Sequence, residues 1–149
     1  MCEKRYTIGE FSKKTGIPSS TIRYYDARGL LLHVQRDKSG NRTFGEADLE
    51  WISILECLKS TGMSLADMCQ YTDWCREGDA TLERRLGLFR QQKEKVIEQI
   101  EQLKKNMEKL DYKIWHYQTS LENGHEECTP GGDVERYEAW KKEHKTKAE

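Results

Sequence analysis

Cationic and short polar side chains cluster near the start of this 149-residue chain, in a pattern that suits contact with an anionic polymer. Residues 1–44 contain nine Lys and Arg against four Asp and Glu, whereas residues 45–80 contain two against eight. The overall charge of −1 therefore conceals a basic segment followed by an acidic one. Because phosphates attract clustered Lys and Arg, the basic segment favours a nucleic-acid partner.

Two short helices joined by a turn are expected to carry these side chains. Thr7 and Glu10 form a capping-box pair, which predicts a helix that ends near Gly16. A second helix is predicted to start after Pro18 and to end at Gly29. In a helix-turn-helix, short polar residues at the start of the second helix approach base edges, and neighbouring cations reach phosphates. The residues predicted for these roles are Ser20, Thr21, Arg23 and Tyr24.

A small β-hairpin is predicted after the second helix. A Ser-Gly-Asn turn at residues 39–41 separates two short extended arms. Arg36 and Arg42 lie on opposite arms, and with Lys38 they are expected to contact phosphates from a neighbouring groove. The alternative is a solvated basic surface that binds no nucleic acid.

Two more helices are predicted between Gly45 and Gly78, with Gly62 between them. The first has apolar residues at helical spacing, which predicts one buried face made of Trp51, Ile54, Leu55 and Leu58. Ser64 caps the second helix, whose predicted inward face is made of Leu65, Met68, Cys69 and Thr72.

A seven-residue apolar repeat runs through the C-terminal half of the chain, and we call these positions the seam. Eleven of the twelve are apolar or aromatic, and only Lys93 is charged. This pattern predicts a coiled-coil helix roughly 60 Å long, which needs a partner for its apolar face. No second helix of that length is predicted in the chain, so we expect a homodimer. The seam consists of Leu82, Leu86, Phe89, Lys93, Val96, Ile100, Leu103, Met107, Leu110, Ile114, Tyr117 and Leu121.

The five cysteines form no C-x-x-C pair, and their odd number argues against a disulfide framework. Cys57 is the candidate sensor, because the nearby Lys59 favours the reactive thiolate. The alternative is that Cys57 is a small buried hydrophobic residue. Cys69 is predicted to lie in the core.

Several classes of protein are excluded by missing patterns. No apolar run approaches the ~20 residues of a membrane span, and no secretory signal is visible, so we expect a cytoplasmic protein without membrane contact. No phosphate-binding loop, H-E-x-x-H or G-x-S-x-G pattern occurs, so neither an enzyme nor a cofactor is expected.

Several short motifs occur in an order that resembles the MerR family of bacterial transcription regulators, densely over about residues 5–75. The motifs span residues 7–11, 21–26, 29–31, 36, 39–44, 48–49 and 58–65. Two residues depart from the family pattern, since Asp26 stands where Glu is usual and Phe44 where Tyr is usual.

The resemblance implies a mostly α-helical fold, with an N-terminal winged helix-turn-helix and a long helix that dimerises as an antiparallel coiled coil. It implies binding to a pseudo-palindromic promoter, which the dimer distorts for RNA polymerase when an effector arrives. Arg23, Tyr24, Tyr25, Arg42 and Lys59 match family positions that contact DNA. Cys57 matches a cysteine in the thiol- and aldehyde-responsive branch of this family, which suggests a response to electrophile or thiol stress.

The predicted domains are a DNA-binding unit with connector helices (1–78), a dimerisation helix (79–124) and a polar tail with a marginal helix (125–149). Three alternatives remain at this stage. A metal-responsive regulator would use Cys75 of one chain with His125 and Cys128 of the other, although no complete metal site is predicted. A drug-binding pocket would use aromatic residues such as Trp51 and Trp115. A coiled-coil adaptor would bind protein instead of DNA.

Overall fold

The computed structural model describes residues 3–126 and 132–145, which form two compact units, one of residues up to 94 and one from 95 onwards. The first unit begins with strand β1 (Tyr6–Thr7), helix α1 (Ile8–Thr15) and helix α2 (Ser19–Ala27). Strands β2 (Gln35–Arg36) and β3 (Arg42–Phe44) follow, and then helices α3 (Glu46–Ser60) and α4 (Leu65–Glu77). A 3-10 turn (Asp79–Thr81) leads into helix α5 (Leu82–Asn123), and helix α6 (Gly132–His144) ends the described chain.

The caps that the sequence predicts are present. The backbone N–H of Glu10 donates to Thr7 Oγ1 at 3.3 Å, and the Thr7 N–H donates to Glu10 Oε2 at 2.8 Å, which completes the capping box of α1. Gly16 then ends α1 with a φ of 72°, a conformation that glycine adopts without a steric penalty. Ser64 caps α4 by accepting the Asp67 N–H at 3.1 Å.

The predicted hairpin is confirmed, and it belongs to a three-stranded antiparallel sheet of order β1-β3-β2. Arg36 pairs with Arg42 across the hairpin, while Tyr6 pairs with Phe44 on the other side of β3. Strand β1 is too short for its sequence to predict a strand, so only the hairpin was expected. The sheet attaches this hairpin, which we call the wing, to the start of α1.

The core of the first unit joins the wing to the helices. Phe11 of α1 stacks on Phe44 of β3 with ring centroids 4.3 Å apart, and both side chains are fully buried. Trp51 of α3 stacks on Tyr71 of α4 at 5.4 Å. The Trp51 indole N–H donates to Leu30 O at 2.7 Å, which ties α3 to the segment that follows α2.

One predicted core position of α3 is wrong. Ile54 is exposed, and Ile52, which the spacing argument omitted, is buried with Trp51, Leu55 and Leu58. Positions 51, 52, 55 and 58 have the same 3-and-4 spacing as the predicted set, so periodicity alone did not choose between positions 52 and 54. All four residues predicted for the inward face of α4 are at least partly covered. Met68 and Thr72 are buried, and Leu65 and Cys69 are partly buried.

In the second unit, α6 packs on one face of α5 through aromatic rings. Tyr112 is 3% exposed, and its ring centroid lies 5.4 Å from Tyr137 and 5.8 Å from Trp140. Along the heptad, Tyr112 and its neighbour His116 lie on the side of α5 opposite the seam. Most seam residues of this unit are exposed, including Leu103 at 65% and Leu110 at 63%, whereas Val96 is partly buried. The helix therefore has one covered face and one uncovered apolar face.

Candidate nucleic-acid interface

Two depressions on the first unit share α2 and contain eight of the nine predicted contact residues, while Lys38 lines neither of them. The wing depression, about 360 Å³, is lined by Arg23, Arg36 and Arg42 together with Thr7, Ile8, Asp37, Gly40 and Asn41. The helix depression, about 480 Å³, is lined by Ser20, Thr21, Tyr24, Tyr25 and Lys59 together with Met63, Leu65 and Met68. The fold thus brings cations and short polar side chains from α2, α3 and the wing to one region.

The three arginines of the wing depression differ in the contacts that their guanidinium groups make. Arg23 is exposed on α2, with its guanidinium free to face an anion in the described structure. Arg36 donates from Nη1 to Gly40 O at 2.6 Å, so it also braces the turn of the wing. Arg42 donates from Nε to Asp26 Oδ2 at 2.6 Å, in a partly buried ion pair between the wing and α2. Arg42 therefore positions the wing on α2 in addition to supplying positive charge.

The turn of the wing is built around one carboxylate. Asp37 Oδ1 accepts the backbone N–H groups of Ser39 and Asn41, both at 2.9 Å. These hydrogen bonds, that of Asn41 first, lower the pKa of Asp37, so its carboxylate is ionised at neutral pH. Gly40 completes the turn with a φ of 83°. The turn is therefore fixed before any ligand arrives.

A polar cluster centred on the buried Tyr25 lies at the helix depression. Tyr25 is 3% exposed, and its hydroxyl donates to Glu56 Oε1 at 2.7 Å. Lys59 Nζ lies 5.8 Å from the centroid of the Tyr25 ring. Burial, and then the hydrogen bond to Glu56, raise the pKa of Tyr25, so the hydroxyl keeps its proton and remains a donor. Tyr25, Glu56 and Lys59 form one group that the sequence did not predict.

The pKa of Lys59 is raised in turn, first by its interaction with Tyr25 and then by the negative charge of Glu56. The ammonium group therefore stays charged well above neutral pH, which suits a phosphate contact. Tyr24 is half exposed, with the Arg28 guanidinium 5.9 Å from its ring centroid. Ser20 is also exposed, at the start of α2 where the sequence places it.

The remaining candidate residue, Cys57, lies outside both depressions, on α3. It is an exposed free thiol, so the alternative of a small buried hydrophobic residue is wrong for this chain. Within residues 3–126 and 132–145, no three His, Cys, Asp or Glu side chains are grouped closely enough to hold a metal ion. Cys128, which the metal alternative needs, lies outside the described residues. In the same described ranges, no helix is both long and apolar enough to cross a membrane.

Sequence reasoning missed two acidic residues that hold a cationic and an aromatic side chain of the interface in place. Asp26 holds Arg42, and Glu56 holds Tyr25, over separations of 16 and 31 residues. Asp26 had been noted only as a departure from the family pattern. No local spacing signals either contact, because each joins elements that are brought together only by the fold.

Several known proteins are similar in sequence to this part of the chain. Residues 6–73 match the family described as MerR HTH family regulatory protein. An uncharacterized HTH-type transcriptional regulator of Haemophilus influenzae is 46% identical over 113 residues, which are 76% of this chain and 84% of that protein. The HTH-type transcriptional regulator AdhR of Bacillus subtilis is 34% identical over 91 residues, which are 61% of this chain and 65% of that protein.

A solved structure extends the similarity to the fold. The MerR family regulator HiNmlR, which lacks the sensor domain and was crystallised bound to promoter DNA, is 43% identical with a TM-score of 0.77. The match covers 82% of this chain and 97% of that chain. The helix-turn-helix, the wing and the depressions between them define a DNA-binding protein of the winged-helix class. The chain belongs to the MerR family, so it is a transcription regulator and not an enzyme. The alternative of a coiled-coil adaptor that does not bind DNA therefore falls away.

Proposed function

We propose that this regulator acts as a homodimer on a pseudo-palindromic promoter, through the side chains of the two depressions, with the buried Tyr25 holding its exposed neighbours in place. The observation that carries the DNA-reading role is their convergence around α2, with cations on either side of its exposed face. Each protomer supplies one DNA-reading unit (residues 1–78), and the helix within residues 79–124 sets the distance between the two DNA-reading units of the dimer. The tail (residues 125–149) adds α6 to the outer face of that helix. The protein works in the cytoplasm, where its promoter DNA is found.

The dimer is supported by the uncovered seam of α5. Leu103, Met107, Leu110 and Ile114 are all more than half exposed in the single chain, while α6 covers the opposite face. Exposed apolar residues in heptad register are stabilised when a second helix covers them. In an antiparallel pair, the N-terminal half of each seam packs against the C-terminal half of the partner's seam. Two reading units related by a twofold axis then fit an inverted repeat.

The regulatory step that we propose is distortion of the bound promoter, which changes how RNA polymerase engages it. An electrophile or a thiol oxidant is the proposed signal, and Cys57 is the proposed receptor. The exposed thiol is accessible to a solute, and Lys59 lies two residues further along the same turn. With a Michael acceptor, the sulfur forms a bond to the β-carbon, and the proton that leaves the thiol is matched by one taken up at the α-carbon.

The substitution Cys57→Ala tests this role. We expect the variant to bind its operator within about twofold of the wild type, because the side chain is exposed and lines neither depression. In a reporter strain treated with an electrophile, transcription from the operator should no longer respond. Cys69→Ala, which removes a partly buried thiol of α4, is the matched control and should respond normally. A wild-type response from Cys57→Ala would remove Cys57 from the mechanism.

A further inference from the structure

The helix that reads DNA and the helix that carries the thiol are separate at the backbone. No Cα atom of α2 lies within 8 Å of a Cα atom of α3, and the structure describes both helices completely. The distance is bridged by side chains, since the Tyr25 hydroxyl of α2 donates to Glu56 Oε1 of α3 at 2.7 Å. If one helix moves relative to the other, this hydrogen bond must lengthen or its two side chains must move to preserve it.

The bridge is well suited to hold a fixed geometry. Tyr25 is a rigid ring that is almost completely buried, and a hydrogen bond to a carboxylate is stronger than one between neutral groups. Lys59 Nζ lies over the same ring at 5.8 Å from its centroid, so a cation is placed beside the donor and acceptor. Lys59 of α3 also interacts with the Tyr25 hydroxyl, so both α3 members of the cluster hold the same side chain of α2.

The thiol shares a helical turn with the two α3 members of this cluster. Glu56, Cys57 and Lys59 are within four consecutive residues, while Leu55 and Leu58 of the same turn are buried in the core. An adduct on the exposed Cys57 sulfur adds volume to the turn whose side chains hold Tyr25. The buried leucines restrict rotation of α3, which leaves the polar side chains of this turn, Glu56 and Lys59, as the groups near the adduct that can move.

We propose that Glu56 is a positioning residue for the DNA-reading helix, and that the Tyr25–Glu56 bridge transmits the state of Cys57 to that helix. The second half of this inference rests on the proposed sensing role of Cys57. The first half is independent of that role, because it concerns only how α2 is held for DNA binding.

A double-mutant cycle on operator affinity tests the positioning role. Fluorescence anisotropy with the full-length protein and a labelled operator duplex would compare Glu56→Ala, Tyr25→Phe and the double variant. Each single variant should bind about five- to tenfold more weakly, which is the upper part of the range for one lost intramolecular hydrogen bond. The double variant should bind at least about threefold better than the product of the two single losses predicts. Independent losses would overturn the bridge.

A conservative replacement separates positioning from general damage to the fold. The amide oxygen of Glu56→Gln still accepts the Tyr25 hydroxyl, so this variant should recover most of the affinity that Glu56→Ala loses. Trp51→Phe is the structural control, because it removes a different buried hydrogen bond of α3, the one to Leu30 O at 2.7 Å. It should lower the melting temperature and leave the alkylation response described next intact. No recovery in Glu56→Gln would contradict the proposal.

The transmission half is tested by alkylating the protein with N-ethylmaleimide. The Cys57 sulfur adds to the ring double bond, the thiol loses its proton, and the neighbouring ring carbon gains one. Wild-type operator affinity or DNA bending should change, while Glu56→Ala is alkylated to the same extent by mass spectrometry and shows no change. Cys57→Ala, treated identically, reports effects at the other cysteines. If Glu56→Ala responds like the wild type, transmission through Glu56 is wrong. If the wild type itself does not respond, the Cys57 role fails while the double-mutant cycle still decides the positioning role.

Discussion

At the residue scale, equal formal charge does not mean an equal role at the DNA interface. Arg23 is exposed, whereas Arg42 is neutralised in part by Asp26 at 2.6 Å. A free guanidinium adds its whole charge to a phosphate contact, and its loss removes about one released counterion. A paired guanidinium contributes mainly by fixing the position of the wing.

We therefore expect Arg23→Ala and Arg42→Ala both to weaken operator binding, but with different salt dependence. Arg23→Ala should reduce the slope of log K against log salt concentration by about 1.8 for the dimer, which is about 0.9 for each of its two copies of Arg23. Arg42→Ala should change the slope less and lower the melting temperature more, because it leaves Asp26 without its partner. Anisotropy titrations at several salt concentrations measure both slopes. Equal slope changes in the two variants would contradict this distinction.

The residue types of the interface could be predicted from the sequence, but their partners could not. Clustered charge and helix-turn-helix spacing identified Ser20, Arg23 and Arg36 as surface residues, the family resemblance added Lys59, and all four are exposed. The same reasoning did not identify Glu56, because its contact with Tyr25 depends on the packing of α3 against the rest of the unit. Acidic residues that hold basic or aromatic ones have no periodic signal of their own.

At the scale of elements, the wing depends on backbone conformation as much as on charge. Its turn needs a positive φ at Gly40, which a residue with a Cβ adopts only at a cost of about 1–2 kcal/mol. The caps of α1 and α4 are local, so the sequence predicted them correctly, whereas the buried face of α3 was ambiguous between Ile52 and Ile54. Strand β1 was missed because a two-residue strand is stabilised entirely by its neighbour β3.

A pair of glycine substitutions tests the role of the wing turn. Gly40→Ala should destabilise the protein by about 1 kcal/mol and weaken operator binding, because its φ of 83° strains alanine. Gly9→Ala is the control, since Gly9 lies in α1, has open space around its Cβ position and has no positive φ. It should stabilise the protein by about 0.5–1 kcal/mol through helix propensity. Urea denaturation measures both changes, and a neutral Gly40→Ala would show that the turn tolerates a different conformation.

At the scale of the whole molecule, the exposed large apolar side chains of the described residues are concentrated on α5. Most of them belong to the seam, whose twelve positions follow one heptad register. The sequence predicted this surface because a heptad repeat is a long-range periodic signal. It did not predict that α6 would cover the other side of α5 through Tyr137 and Trp140.

Two lysine substitutions on α5 distinguish the seam from the rest of the helix surface. Leu103→Lys places a charge on the seam, so it should shift the protein toward the monomer and weaken operator binding at least about tenfold. Glu98→Lys introduces the same side chain at an exposed position opposite the seam and should leave the dimer intact. Sedimentation velocity measures the oligomeric state of each. A dimeric Leu103→Lys protein would mean that the seam is not the interface.

The central claim is that two copies of this chain read one inverted repeat. The most direct test is selection of bound duplexes from randomised DNA, followed by sedimentation of the selected complex. We expect an enriched inverted repeat with two chains per duplex, and loss of binding when either half-site is scrambled. Enrichment of a single unrepeated site occupied by one chain, or no enrichment, would contradict it.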